Sequence, residues 1–402
     1  MDAASVFAAS RSRSRVGGKQ VSRSRNGAIR LLALALAVTV TASTAAAGDG
    51  WQEVSWNGYV RAFVQPDGRV IDPATPPGIT TSEGQAYTLL RAVWINDEST
   101  FTRVLEWTTN NLAREKSPLP AWRWGKRGDG TWGVQDQNTA SDADVLLAYA
   151  LLTAGTKWKR PDWVTRGAEV ARAVWNEEVE RVGARWYLLP GNWAHGWNPL
   201  PLNLSYYCPA ILRQIAVHDQ QHPWAELADT TYHLLRNALP VTHLPPDWLL
   251  LQRVTQDLII GTPESGQKGR FGYDAYRVYF NVALDYVWDH SQPAKQYLAG
   301  QTWLPAFLTL NGTLPREVGL DAIPRLGGPE PLALYGSLYP TLTLFHAEAS
   351  AKAKSILDAS FKDGMWGVPP DYYAQNLVWF GRALAEGLLP APNNNGGRET
   401  AR

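Results

Sequence analysis

The chain is poor in covalent cross-links, in linkers and in net charge. Cys208 is its only cysteine, so no internal disulfide can form and stability must come from a packed core. No Ser/Gly/Pro-rich linker interrupts it after residue 50, so the length suits one large domain or two ordinary ones. The formal net charge is only +1 over 402 residues. That balance offers no electrostatic footprint for nucleic acid or an anionic membrane.

What charge asymmetry exists is confined to the N-terminus. Arg11, Arg13, Arg15, Lys19, Arg23, Arg25 and Arg30 face a lone Asp2, then Leu31 to Val40 form a short apolar run, followed by small residues up to Ala47. This order predicts a secretory signal peptide over 1–47, with export to the periplasm or beyond. The apolar run is too short to span a bilayer stably, although the long basic region leaves an uncleaved anchor as the alternative. Without residues 1–47 the net charge moves from +1 to −5. Neutral polymers, sugars among them, become the easier partners. At the other end, residues 390–402 are rich in Pro, Asn and Gly and are expected to form a disordered tail.

Between these ends, residues 48–389 read mostly at helical period. Helices apolar on most faces begin near Ser82, Ser141, Leu204, Tyr273, Glu330 and Tyr372; more amphipathic ones cover roughly 99–114, 162–178, 223–238, 291–303 and 346–359, with Trp51–Phe63 as a sixth. The starts of the buried set are 42 to 69 residues apart, longer and less even than solenoid repeats. The pattern predicts an all-α (α/α)6 barrel, a toroid of six inner and six outer helices in one domain, in preference to an open solenoid. Segments 117–139 and 183–203 are too long for turns, and their Trp and Gly content marks them as cleft walls. Trp122, Trp124 and Trp132 are candidate platforms for pyranose rings, or pack beneath the loop.

Four helix mouths carry polar groups. In Thr81-Ser82-Glu83-Gly84-Gln85, Ser82 and Gln85 have capping-box spacing and Glu83 can face a cleft. An isolated Glu there is equally explained by the helix dipole, which lowers a carboxyl pKa; a proton donor would need burial or a nearby carboxylate. The second mouth, Ser141-Asp142-Ala143-Asp144, again has capping-box spacing, leaving Asp142 free; no calcium-loop pattern follows, so no metal is expected. At the third, Asn203, Ser205 and Tyr206 offer neutral groups suited to sugar hydroxyls. At the fourth, Tyr273 and Asp274 precede Arg277, which can hold Asp274 ionised or make an ordinary surface pair. Two carboxylates in opposite protonation states in a Trp-lined groove are the equipment for glycoside hydrolysis.

Seven segments together, in order along the chain, resemble glycoside hydrolase family 8. They are 82–87, Trp107 to Leu112, Pro120 to Gly125, Ser141-Asp142-Ala143-Asp144 through Trp158, Leu244 to Trp248, Tyr273 to Arg277 and Tyr372 to Leu377. Within the family the chain is most similar to the short bacterial endoglucanases that accompany cellulose synthases. The resemblance implies an inverting endo-β-1,4-glucanase without cofactor, with Glu83 as general acid, Asp274 as base and Asp142 holding the sugar in a distorted ring. It also implies a β-1,4-glucan chain as substrate and a cellulose synthase complex as the associated machinery, with the enzyme itself a monomer. Leu204 and Ala374 depart from the family pattern, where Pro and often Asp stand. Chitosan, xylan and mixed-linkage glucan are the alternative substrates within the family, and a non-catalytic glycan-binding export subunit is the alternative outside enzymes.

Overall fold

Helices buried along almost their whole length alternate with helices buried on one face. The computed structural model describes residues 50–74, 76–238, 243–262, 269–319, 322–389 and 391–392. The expected signal segment and nearly all of the expected tail lie outside the described residues. In chain order the first helices are α1 (Trp51–Phe63), α2 (Ser82–Ile95), α3 (Glu98–Asn111), α4 (Ser141–Lys157), α5 (Pro161–Glu178), α6 (Pro209–His218) and α7 (Trp224–Asn237). They are followed by α8 (Tyr273–Asp289), α9 (Gln292–Ala299), α10 (Trp303–Asn311), α11 (Leu332–Phe345), α12 (Ala347–Ser360) and α13 (Tyr372–Ala385).

The buried set closes on itself: α2 packs on α4, α4 on α6, α6 on α8, α8 on α11, α11 on α13, and α13 returns to α2. Around that ring α3, α5, α7, α9 and α12 each pack on the inner helix that precedes them, and α1 packs on α13. This is the (α/α)6 barrel. The tightest approach is between α11 and α13, where a Cβ on Gly381 would lie 1.8 Å from the Gly336 carbonyl oxygen, so neither position admits a side chain. Large aromatics such as Trp224, Trp366 and Trp379 fill the space between helices; truncating one to Ala would cost about 3–5 kcal/mol.

Three expectations about the elements need correction. The third inner helix begins at Pro209, not near Leu204, because residues Leu204–Tyr206 form a separate 3-10 turn. Pro209 suits a first helical position but disfavours helix in the residue before it, so the chain breaks at Cys208. The outer helix expected over 291–303 is two helices, α9 and α10, interrupted at Gly300 to Thr302. Finally, the long loops contain short antiparallel strands: Thr80–Thr81 pairs with Arg123–Lys126, which pairs with Trp132–Asp136. Others precede the 3-10 turn (Leu200–Leu202) and α8 (Arg270–Phe271), so strands deliver the chain to inner-helix mouths.

Candidate active site

At the first mouth the cap is Thr81, whose Oγ1 accepts the Gly84 amide at 3.1 Å. The expected Ser82–Gln85 box does not form, because Gln85 is fully buried and ties α2 to its surroundings. Its Oε1 accepts from the Val70 amide at 2.6 Å, and its Nε2 donates to Thr108 Oγ1 at 2.7 Å. Ser82 is buried too, its amide donating to the Trp122 carbonyl at 3.0 Å. With both neighbours turned inward, Glu83 faces the cleft, its side chain 22% exposed.

The second mouth is also capped differently from expectation. Ser141 donates its hydroxyl to the Leu189 carbonyl, and Asp144 is fully buried beside Glu178 instead of capping. Burial, then the Glu178 carboxyl, pushes Asp144 well above the usual carboxylate range. Burial pushes Glu178 up to about 8 against the opposing bonds from Thr139 and Asp144. Asp142 points the other way: Oδ1 accepts the Ala143 amide at 2.8 Å and Oδ2 accepts from Arg277 Nη1 at 2.6 Å.

Arg277 joins the mouths. It is 5% exposed, so the pair with Asp274 is not a surface ion pair. Nη1 also donates to Glu83 Oε2 at 2.7 Å, and Nη2 to Asp274 Oδ1 at 2.8 Å. Tyr206 lies under the guanidinium, its ring centroid 5.2 Å from the central carbon. Two bonds and the spacing of the guanidinium nitrogens cap the Glu83–Asp274 oxygen separation at about 8 Å. That cap admits both the inverting range of carboxyl separations, roughly 6.5–9.5 Å, and the retaining one, about 5–5.5 Å. Glu83, Asp142 and Asp274, from α2, α4 and α8, therefore share one cation.

Three carboxylates around one guanidinium would leave an excess of negative charge if all were ionised. The cost falls on Glu83: burial pushes its carboxyl up to about 7, with Asp142 and Asp274 adding to the rise and Arg277 and the Tyr372 bond opposing it. Burial also raises Asp142, but that group accepts a backbone amide and a guanidinium N–H, both of which favour its anion. Glu83 Oε1 instead meets the Tyr372 hydroxyl at 2.7 Å, a partner able to donate or accept. Of the two raised carboxyls, Glu83 therefore has the partners less committed to its anion.

The remaining predicted groups divide. Asn203 is buried and engages its Oδ1 in its own turn, accepting the Ser205 amide at 3.0 Å and hydroxyl at 2.7 Å, while its Nδ2 has no partner; Ser205 lines the same cavity as Asp142, Tyr206 and Arg277. Tyr273 is 40% exposed, its hydroxyl bonded by Arg316. Trp132, 43% exposed, stacks on half-buried Trp124 with centroids 5.2 Å apart, and Arg69 lies within 4.9 Å of both rings. Half-buried Trp122 is tied to the first mouth by its backbone, the carbonyl accepting the Ser82 amide. Local sequence reasoning missed Tyr372, although it stands in a segment matched to the family; it reaches Glu83 despite the neighbouring Ala374. Also missed was Trp248, whose Nε1 donates to Asp274 Oδ2 at 3.1 Å.

Residues 26–310 match the family model described as Glycosyl hydrolases family 8. The chain is a family 8 glycosyl hydrolase. This hydrolase is 34% identical over 337 residues to an endoglucanase of Xanthomonas axonopodis pv. citri, covering 82% of this chain and 85% of that one. It is 33% identical over 334 residues to an endoglucanase of Escherichia coli K12, covering 82% and 86%. Its fold superposes on the crystal structure of an endo-1,4-D-glucanase from Vibrio fischeri with a TM-score of 0.71 at 27% identity, covering 83% of this chain and 94% of that one.

Proposed function

We propose that this hydrolase is an endo-β-1,4-glucanase that cleaves with inversion at the anomeric carbon. Glu83 is the proton donor, Asp274 the base that takes a proton from water, and Asp142 the group that holds the sugar at the cleavage point. The observation carrying the reading is the sharing of Arg277 by all three carboxylates, with Glu83 raised to about 7. A neutral Glu83 can hand its proton to the glycosidic oxygen as the bond breaks. The carboxylate it becomes is already beside a guanidinium, so charge develops where a cation waits. Asp274 is the most open of the three, its side chain 34% exposed against 22% for Glu83 and 10% for Asp142. That openness supports Asp274 as the group that meets the attacking water. The relatives' activity as endoglucanases supports β-1,4-glucan as substrate, and Trp132 supports a neutral chain stacked along the cleft.

We infer further that residues 1–47 direct export, to the periplasm or beyond, and that the enzyme works beside a cellulose synthase. The basic, apolar and small-residue order of the N-terminus supports the first, and the resemblance noted above the second. Cell fractionation with N-terminal sequencing tests export. The reaction is tested by incubating wild type and Glu83→Gln with carboxymethylcellulose, chitosan, xylan and mixed-linkage glucan, reading reducing ends and the anomer first formed. Activity highest on the cellulose derivative, α-anomeric product and loss of hydrolysis in the variant are expected. A β-anomeric product, preference for another polymer, or an active variant would overturn the reading.

A further inference from the structure

The segment Leu244 to Trp248 takes no part in the proton transfers above, yet it reaches Asp274 by two routes. Helix α8 opens at Gly272 with no side-chain cap of its own. Asp247 supplies the acceptor from elsewhere in the chain: its Oδ1 accepts the amides of Gly272 and Ala275, each at 2.9 Å. Those are the N-cap and N3 amides, the pair that a local capping box would satisfy. Oδ2 accepts from Arg270 Nε at 3.2 Å, and the Asp247 amide donates to the Arg270 carbonyl at 2.8 Å. The approach leaves no room for a side chain at residue 272, where a Cβ would lie 2.7 Å from Asp247 Oδ2. The next residue, Trp248, donates to Asp274 Oδ2, the oxygen that Arg277 leaves open.

We propose that Asp247 and Trp248 are positioning residues for Asp274, the first anchoring the helical turn that carries it and the second fixing its outer oxygen. The proposal rests on the reading of Asp274 as the base. A base displaced by as little as ~1 Å can lose about 10²-fold in rate, which is why a rigid mount matters. The two mounts act by different routes. Trp248 bonds an Asp274 oxygen directly, whereas Asp247 acts through the backbone amides it caps; burial, then Asp274, pushes Asp247 up to about 6, so it carries little charge below that pH. Its partner Arg270 also pairs with Glu317 at 3.0 Å. The other titratable or charged groups around Asp274 are Arg277 on its own helix, Glu83, Asp142, Tyr206 and Tyr373.

The test is the pH dependence of kcat/KM on carboxymethylcellulose for Trp248→Phe and Asp247→Asn. Trp248→Phe keeps a ring and removes the N–H. It should lower kcat about tenfold, leave KM within roughly twofold and move the acidic limb up by about one pH unit. Asp247→Asn keeps a capping oxygen but cannot accept the Arg270 bond at its other atom, so it should lower kcat about three- to tenfold with KM nearly kept and the limb in place. Thermal melts of both variants report whether the fold is kept; should Trp248→Phe fail to fold, the loss of kcat at constant KM in Asp247→Asn decides alone. An unmoved limb in Trp248→Phe, or an unchanged kcat in Asp247→Asn, overturns the proposal. Asp274→Asn is run beside them: if it remains active the base itself is misassigned, a different failure from either of those outcomes with Asp274→Asn inactive.

Discussion

Asp142 and Asp144 stand two residues apart at one helix mouth and belong to opposite kinds of site. Asp142 shares Arg277 with Glu83 and Asp274, in a cluster whose carboxylates are 10% to 34% exposed. Asp144 faces Glu178 with both groups fully buried, a hydroxyl from Thr139 as partner and Arg114 exerting only a minor pull. Burial raises carboxyls in both places. Where no cation joins them, the pair holds its proton through the neutral range and acts as a brace. Where a guanidinium joins them and the site is open on one side, Glu83 is raised only to about 7. The difference between a brace and the proposed proton donor is therefore one arginine and a way out.

The comparison breaks most visibly at Glu83. Glu83→Gln should cost at least about 10³-fold in kcat on soluble cellulose derivatives, with little change in the melting temperature. Arg277→Lys keeps the charge but loses the fork that holds three carboxylates at once, and a loss of about 10²-fold is expected. Its alkaline limb should move to higher pH, because Glu83 loses part of the cation that favours its anion. Both are read from kcat and the pH profile.

The brace should fail differently. Glu178 is raised in the folded state to about 8 from an ordinary 4.5, so its contribution to stability is full below about 4.5 and is lost as pH climbs through about 8. Glu178→Gln removes that titration. The melting temperature of the variant should fall less than that of wild type between pH 5 and pH 8, by several degrees, while the alkaline limb of activity stays where it is. The smallest effect belongs to the cleft wall: Trp132→Ala should raise KM about three- to tenfold with kcat nearly kept, since stacking acts on bound sugar and transition state alike.

Much of the barrel was legible because inner helices are apolar all round, with starts readable near Ser82, Ser141, Tyr273 and Tyr372. Elements that depend on a single backbone break were less so: Cys208-Pro209 stops the third helix late, and strands of two to five residues are too short for an alternating pattern to register. At the site, the spacing of Asp274 and Arg277 was visible because it is local. That Arg277 also reaches Glu83 and Asp142 depends on the ring closing, which no local spacing records. Asp144 misled because capping-box spacing is satisfied in sequence while the side chain turns inward to Glu178. Asp247 escaped notice for the same reason in reverse: it caps a helix 25 residues away.

The central claim is that Glu83 keeps its proton near neutrality because of where it is buried and what shares its cation. Selective 13Cδ labelling of glutamate, with Glu83→Gln and Glu178→Gln to assign the two displaced signals, would follow its titration by NMR. The account predicts a Glu83 resonance titrating at about 7, apart from that of Glu178. A Glu83 midpoint at the ordinary 4.5 would contradict it.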